Sequence, residues 1–251
     1  MASLEIEYKD KHICRAWINR PEAHNALDFE VIAGLEDLAD ELDHNTDIRL
    51  FILSGSGTDT FIAGGDLKKF HTIQSEEEAF KMSEKVHTLF HRFECLPCYT
   101  LAYLNGNAFG GGIELMLSFD FRLAAPGIKL GFTQGRFYLT PGWGGLTRLV
   151  ETVGRSKALE LQGKAAIIPA DKAMDLGLIN DILDTSDHES EILHWSEDLI
   201  RNDRDYIRTL KKSSGLQAEA RLQALRAEIE PFSKLWADPE HLRRVEEFSN
   251  R

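Results

Sequence analysis

Two glycine-rich segments contain the residues of this sequence that are best placed to do chemistry. They are residues 61–68 (FIAGGDLK) and residues 105–115 (NGNAFGGGIEL). Glycines at a strand-to-helix junction let the backbone approach a ligand and leave unpaired N–H groups directed at it. If the N–H groups of Gly65 and Gly111 converge on one carbonyl oxygen, they form an oxyanion hole, in which each donor contributes about 2.7–4 kcal/mol to the stability of an enolate. Taken singly, each segment is better explained by a tight turn or by close packing of a helix on a strand, and the two segments together favour the functional interpretation.

Glu114 follows Gly111 by three residues, in the first turn of the helix predicted there. A carboxylate at this position reaches the atoms next to a carbonyl held by Gly111, and burial raises a carboxyl pKa toward the range of a useful general base. The alternative is that Glu114 only stabilises the N-terminal end of its helix. Asp66 and Asp120 are weaker candidates, and Asp66 is predicted to cap the turn that begins at Leu67.

The remaining reactive residue types indicate no second kind of site. The nine histidines show no metal-ligand spacing, so no metal site is predicted. Three cysteines are too few for a disulfide framework, and the pair Cys95 and Cys98 falls where a helix is predicted to end, which does not favour redox chemistry. The Gly-x-Ser-x-Gly pattern of serine hydrolases is absent from the sequence.

The charge balance also restricts the partners. With 41 acidic and 29 basic residues the formal charge is −12, which argues against a nucleic-acid-binding protein. No run of 18 apolar residues is present, so a membrane-spanning helix is not expected. The first residues lack the basic and apolar regions of a secretory signal, and we therefore expect a cytoplasmic protein.

Alternating strands and helices are predicted to position both glycine segments. A β-hairpin is expected over 4–19, and the capping box formed by Ser75 and Glu78 is expected to open a helix that Pro97 stops. Parallel strands with helical connections place sites at the carboxyl ends of the strands. The sequence therefore predicts one α/β domain over 1–251, with a core over 1–185 and a helical C-terminal extension over 186–251. The other predicted helices are 28–43, 111–118, 155–162, 169–176 and the whole chain from 189 onward. The other predicted strands are 49–54, 99–104, 121–125 and 178–183.

Five ordered motifs resemble the enoyl-CoA hydratase/isomerase (crotonase) superfamily. The resemblance covers almost the whole chain, which makes it far more specific than either glycine segment alone. The motifs are residues 19–27 (NRPEAHNAL), 63–67 (AGGDL), 105–114 (NGNAFGGGIE), 141–150 (PGWGGLTRLV) and 170–179 (ADKAMDLGLI).

The resemblance implies a ββα spiral fold, a CoA thioester as substrate, no cofactor other than that CoA, a role in fatty acid metabolism, and a homotrimer or a dimer of trimers. It places the oxyanion hole at Gly65 and Gly111 and the water-activating glutamate at Glu114. The second glutamate of the family, which handles the proton at Cα, falls on Gln134. Contacts with the CoA moiety are implied for His24, Ala26, Ala63, Asp66, Leu67 and Lys68.

Gln134 departs from the family pattern, because an amide cannot exchange a proton as a carboxylate does. Enoyl-CoA hydration or isomerisation is the first expectation. The sequence around residues 114–123 and 143–151 is also similar to the ethylmalonyl-/methylmalonyl-CoA decarboxylase branch, and decarboxylation needs the same hole but no base. A non-catalytic acyl-CoA-binding protein is the third possibility. Lys211, Lys212 and Lys234 are candidates to meet the CoA phosphates from a neighbouring subunit.

Overall fold

The computed structural model describes residues 2–9, 11–183 and 187–250, so the predicted boundary at 185/186 and Asp10 in the predicted hairpin turn lie outside the described residues. Within them the strands are β1 (Leu4–Tyr8), β2 (Ile13–Ile18), β3 (Leu50–Gly55), β4 (Thr60–Ile62), β5 (Tyr99–Leu104), β6 (Asn107–Phe109), β7 (Phe121–Ala124), β8 (Lys129–Gly131), β9 (Ile167–Pro169) and β10 (Asp181–Ile182). The α-helices are α1 (Phe29–His44), α2 (Glu76–Cys95), α3 (Gly111–Met116), α4 (Gly145–Val153), α5 (Arg155–Gly163), α6 (Ala170–Asp175), α7 (His188–Ser196), α8 (Arg204–Ser213), α9 (Glu219–Arg226), α10 (Ile229–Trp236) and α11 (Pro239–Ser249).

Two sheets form the core. The larger has the strand order β1-β2-β3-β5-β7-β10 and the smaller the order β4-β6-β8-β9. In the larger sheet only β1 and β2 pair antiparallel, and the pairs from β2 to β10 are all parallel. β5 is buried along its whole length, as expected for a parallel strand that is covered on both faces. The predicted α/β class is therefore confirmed.

Local sequence signals fix the ends of the long helices. The side chain of Asp28 accepts a hydrogen bond from the Val31 N–H (2.9 Å) and caps α1. Ser75 and Glu78 form the predicted capping box at the start of α2, where Ser75 Oγ accepts from the Glu78 N–H (3.2 Å) and Glu78 accepts from the Ser75 N–H (3.1 Å). The sequence therefore predicts these two helices almost to the residue.

The predicted strand over 178–183 is wrong over most of its length, because only Asp181 and Ile182 pair with β7. The preceding residues close the end of α6 instead. Gly177 adopts a left-handed conformation (φ 72°), and the Leu178 N–H returns to the Ala173 carbonyl (2.9 Å). The helix predicted over 111–118 is also shorter, since α3 ends at Met116.

The helical character predicted from residue 189 onward is confirmed, although the structure divides this region into the separate helices α7 to α11, and the region packs back on the core. The Trp236 indole in α10 donates a hydrogen bond to the Ile73 carbonyl (3.1 Å) beside α2. Phe232 in the same helix covers Gly142, where an added Cβ would lie 2.2 Å from the ring. The segment before α4 is thus held by the C-terminal helices. No helix in the described part of the chain is long and apolar enough to cross a membrane.

Candidate active site

The smaller sheet brings the two glycine segments together. β4 and β6 pair in parallel, and each leads into one of the segments. A Cβ added at Gly64, whose φ is 113°, would lie 3.2 Å from the amide nitrogen of Gly111. In the described ranges, neither the Gly65 N–H nor the Gly111 N–H donates a hydrogen bond. Two neighbouring backbone donors without partners are what an oxyanion hole requires.

The indole of Trp143 packs against both glycines. An added Cβ would lie 2.1 Å from Trp143 Cζ3 at Gly111 and 3.2 Å from Trp143 Cη2 at Gly65. Trp143 is only 5% exposed, and the Phe90 ring meets it edge-on with 5.8 Å between ring centroids. A side chain at Gly111 would therefore displace the indole, whereas one at Gly65 would meet the Phe70 ring first, at 2.9 Å. From the sequence alone, Trp143 has no predicted role beyond its place in the PGWGG motif.

Glu114 is buried between α3 and the start of α4. Its Oε2 accepts hydrogen bonds from the Trp143 N–H (2.8 Å) and the Gly145 N–H (3.1 Å), and its Oε1 accepts one from Gln134 Nε2 (3.2 Å). Position 145 has to be glycine for this arrangement, because an added Cβ would lie 2.3 Å from Glu114 Cγ. The carboxyl group is therefore fixed in one place by backbone donors.

Burial raises the pKa of Glu114 to about 7. The charge of Glu228 contributes to this rise, and the hydrogen bonds from Trp143, Gln134 and Gly145 oppose it. A group with this pKa is protonated in about half of the molecules at neutral pH, so it can give or take a proton.

Gln134 lies at the position that the resemblance assigns to a second glutamate, and the structure brings it against Glu114. It is 7% exposed, and its Oε1 is buried without a hydrogen-bond partner among the described residues. The site therefore pairs one carboxyl group with a neutral amide. A buried amide oxygen left without a partner is costly unless a ligand satisfies it.

The positions implied for the CoA moiety converge on the first glycine segment. The Ala63 N–H donates to the His24 carbonyl (3.1 Å), and the Leu27 N–H donates to the Gly64 carbonyl (2.8 Å). Ala26 lies between them and is buried, whereas His24 and Lys68 are exposed. His24, Ala26, Ala63 and the segment from Gly65 to Lys68 therefore lie next to one another.

Asp66 caps the turn after this segment, as predicted. Its Oδ1 accepts hydrogen bonds from the N–H groups of Lys68 and Lys69 (3.1 Å each), and its Oδ2 pairs with Arg20 Nη2 (2.8 Å). Arg20 Nη1 also donates to the Ala26 carbonyl (2.6 Å). Asp66 therefore holds the loop together from inside, and its carboxylate is occupied by these contacts.

A buried ion cluster supports the back of the site. Arg148, which is 2% exposed, donates to Glu94 through Nε and Nη2 (2.8 Å each) and to the Trp143 carbonyl through Nη1 (2.9 Å). Arg221 in α9 binds Glu94 as well (2.7 Å). These contacts, with those from His91, hold the pKa of Glu94 far below its usual range despite its burial. The cluster was not predicted from the sequence, because its members are up to 127 residues apart.

Two further candidates have structural roles. Asp120 accepts hydrogen bonds from the Thr100 N–H (2.9 Å) and from Lys211 Nζ (2.6 Å), beneath the larger sheet. Lys211 is buried there, so its predicted contact with CoA phosphates is wrong.

Across the described residues, no group of three or more His, Cys, Asp or Glu side chains is arranged to hold a metal ion.

Comparison with known proteins gives consistent relatives over nearly the whole chain. The sequence model of the family described as Enoyl-CoA hydratase/isomerase matches residues 8–248. An ethylmalonyl-CoA decarboxylase from Xenopus laevis is 32% identical over 93% of this chain and 79% of that protein. A crotonyl-CoA hydratase from Syntrophomonas wolfei is 29% identical over 91% of this chain and 88% of that protein.

A solved structure shows the same fold. The crystal structure of an enoyl-CoA hydratase from Bacillus anthracis matches with a TM-score of 0.81 at 28% sequence identity, covering 99% of this chain and 96% of that one. The spiral α/β fold with a helical C-terminal region, which the sequence motifs predicted, is therefore confirmed.

Proposed function

The chain belongs to the enoyl-CoA hydratase/isomerase family, and we propose that it decarboxylates a 2-carboxyacyl-CoA thioester of the ethylmalonyl-CoA type. The observation that carries the proposal is the hydrogen bond of 3.2 Å from Gln134 Nε2 to Glu114 Oε1. With an amide at position 134, the site holds a single carboxyl group, whereas hydration by the two-glutamate mechanism needs two. The decarboxylase relative from Xenopus laevis supports the same choice.

In the proposed reaction the thioester oxygen lies between the N–H groups of Gly65 and Gly111. The bond from Cα to the carboxylate carbon breaks, CO2 leaves, and the electron pair moves through Cα onto the thioester oxygen as an enolate. The two donors stabilise this charge as it develops, each by about 2.7–4 kcal/mol. Glu114 then gives its proton to Cα and is reprotonated from solvent. One proton is consumed and one CO2 released, so no base is needed.

The electrostatics of Glu114 suit a proton donor. Burial and the nearby charge of Glu228 raise its pKa to about 7, so the acid form is available at neutral pH. The Gln134 amide stays neutral and cannot compete for the proton. Because the Trp143 and Gly145 N–H groups fix Glu114 Oε2, Oε1 is the oxygen best placed to exchange a proton.

Hydration remains a second candidate, because Glu114 is retained at the position where the family activates water. The crotonyl-CoA hydratase from Syntrophomonas wolfei supports this candidate. Hydration would need Gln134, or a water molecule beside Gln134, to deliver the proton to Cα.

The same proposal covers the surroundings of the reaction. His24, Ala26, Ala63, Asp66, Leu67 and Lys68 would line the path of the CoA moiety, which would be the only cofactor-like group. Three free cysteines fit a reducing cytoplasm. Exposed apolar side chains on α8 and α11, among them Leu210 and Phe248, fit burial between subunits of a trimer or a dimer of trimers. We also propose that the chain acts in fatty acid metabolism. It would form a single domain, with its core over 1–185 and its helical region over 186–251.

Replacing Glu114 by Gln tests the proposed role. The variant keeps the side-chain shape, so we expect CoA-thioester affinity within about twofold of wild type and a loss of ethylmalonyl-CoA turnover of about 100-fold. Affinity would be measured by calorimetry and turnover by mass spectrometry of the thioester. Glu230→Gln, which changes an exposed glutamate in α10, is the matched control. Unchanged turnover in Glu114→Gln would remove Glu114 from the mechanism.

A further inference from the structure

Two carboxylates share the first turn of α4. Glu114 from α3 accepts the N–H groups of Trp143 (2.8 Å) and Gly145 (3.1 Å). Glu228, which directly precedes α10, accepts the N–H groups of Leu146 (3.0 Å) and Thr147 (2.7 Å). The first three residues of this nine-residue helix thus donate to side chains from two distant parts of the chain. Gly144, the residue before the helix, supplies no side-chain cap.

We propose that Glu228 is a positioning residue that keeps Glu114 protonated near neutral pH by competing for the positive end of the same helix. The inference rests on the proposed role of Glu114 as proton donor. Two like charges at one helix end cannot both ionise freely, because each adds to the work of charging the other. The N-terminal dipole of α4 favours one negative charge, and ionised Glu228 already provides it.

The other charged groups around α4 do not take over this role. Arg148 points into the cluster with Glu94 of α2, and Arg221 of α9 binds Glu94 and Glu151. His87 of α2 is neutral at pH 7, because burial and the charge of Arg148 lower its pKa to about 4. The charged groups of α5 that form ion pairs, Lys157 and Glu160, do so at the surface. Glu228 is therefore the neighbouring charge that acts on Glu114.

Both Glu114 and Glu228 have raised pKa values, and burial is the largest cause of the rise in each case. Burial raises the pKa of Glu228, although the hydrogen bonds from Thr147 and Leu146 and the charge of Arg148 oppose the rise. The charge of Glu228 is the second cause, after burial, of the raised pKa of Glu114. Glu228, which lies in the C-terminal region just before α10, thereby controls the protonation of a group in the core.

The test is a titration of Glu114 in the ligand-free protein, followed by the carboxyl stretching band in infrared difference spectra. The Glu114→Gln variant identifies the band. We expect the Glu114 midpoint in Glu228→Gln to fall by about one pH unit below wild type. Glu230→Gln, two residues away and exposed, should leave the midpoint unchanged. An unchanged midpoint in folded Glu228→Gln would overturn the proposal.

The Leu146 N–H donates to Glu228 Oε2 and the Thr147 N–H donates to Oε1, so the amide oxygen of Gln can still accept one of the two, and we expect the variant to fold. If it does not, Glu228→Ser, a neutral residue that favours helix N-termini, tests the same shift. Since the titration needs no substrate, it stays valid if the protein decarboxylates nothing. Should the decarboxylase assignment hold, the alkaline limb of the rate profile should shift to lower pH by the same amount in Glu228→Gln.

Discussion

The replacement of Gly111 by Ala is the sharpest perturbation of the proposed oxyanion hole. The added methyl group would lie 2.1 Å from Trp143 Cζ3 and 2.9 Å from Cε3 and Cη2. Real Cβ atoms do not approach other atoms so closely, so either the indole or the start of α3 must move. Because Phe90 and Gly65 confine the ring on its other sides, we expect the Gly111 N–H to shift away from the thioester oxygen.

The expected magnitude follows from the loss of one donor. A displaced donor costs about 2.7–4 kcal/mol of transition-state stabilisation, which is about 100-fold to 1,000-fold in kcat. Overpacking also destabilises the fold, by about 1–3 kcal/mol, which urea unfolding would measure separately. The assay is the steady-state rate of CO2 loss from ethylmalonyl-CoA, with CoA-thioester affinity measured in parallel.

Gly163→Ala is the matched control. An added Cβ at the end of α5 meets no atom within 4 Å, so the same substitution there should leave the rate unchanged. A folded Gly111→Ala variant with wild-type kcat would refute the assignment of Gly111 to the hole.

Three further predictions test other parts of the account. Since the pKa of Glu114 is raised to about 7, and its acid form is the proposed donor, the decarboxylation rate should fall about tenfold per pH unit above pH 7; a flat rate from pH 6 to pH 9 would contradict this. Gln134→Glu places a second carboxyl group against Glu114 and should raise the rate of crotonyl-CoA hydration at least about 100-fold over wild type. The rate would be measured by the loss of enoyl absorbance. No gain would show that the amide at position 134 is not what limits hydration. Glu94→Gln leaves Arg148 and Arg221 without their buried partner and should lower the free energy of unfolding at pH 7 by about 3–5 kcal/mol in urea titrations. Because the folded-state pKa of Glu94 is lowered, this stabilisation is present above the ordinary glutamate pKa and is lost as the pH falls through the folded-state pKa. If the stability difference between wild type and Glu94→Gln grew as the pH was lowered, the ion-pair explanation would be wrong.

Local patterns and the resemblance predicted the parts of the site that are contiguous in sequence. The strands predicted before the two glycine segments are present as β3 and β5, whereas the short strands β4 and β6 at the glycine segments themselves were not predicted. The cap at Asp66 and the capping box at Ser75 depend on residues two or three positions apart, which a sequence displays directly. The placement of Gln134 beside Glu114 came only from the alignment implied by the resemblance.

The contacts that tune the site were not predictable in this way. Glu228 meets the Leu146 N–H across 82 residues, and no period or spacing relates the two positions. Trp143 looks like part of a glycine-rich turn until the structure shows its ring against Gly65 and Gly111. The short β10 was overpredicted because residues 178–183 are apolar enough for a strand, while Gly177 and the return of Leu178 to α6 use the backbone differently.

The most direct test of the central claim is the change in mass of CoA thioesters incubated with the purified protein. The panel would hold ethylmalonyl-CoA, crotonyl-CoA and a 3-enoyl-CoA, with Glu114→Gln as the parallel sample. We expect ethylmalonyl-CoA to lose CO2 and give the butyryl thioester, crotonyl-CoA to be turned over much more slowly, and Glu114→Gln to lose most of the activity. Rapid addition of water to crotonyl-CoA, with ethylmalonyl-CoA unchanged, would show that the protein is a hydratase and not a decarboxylase.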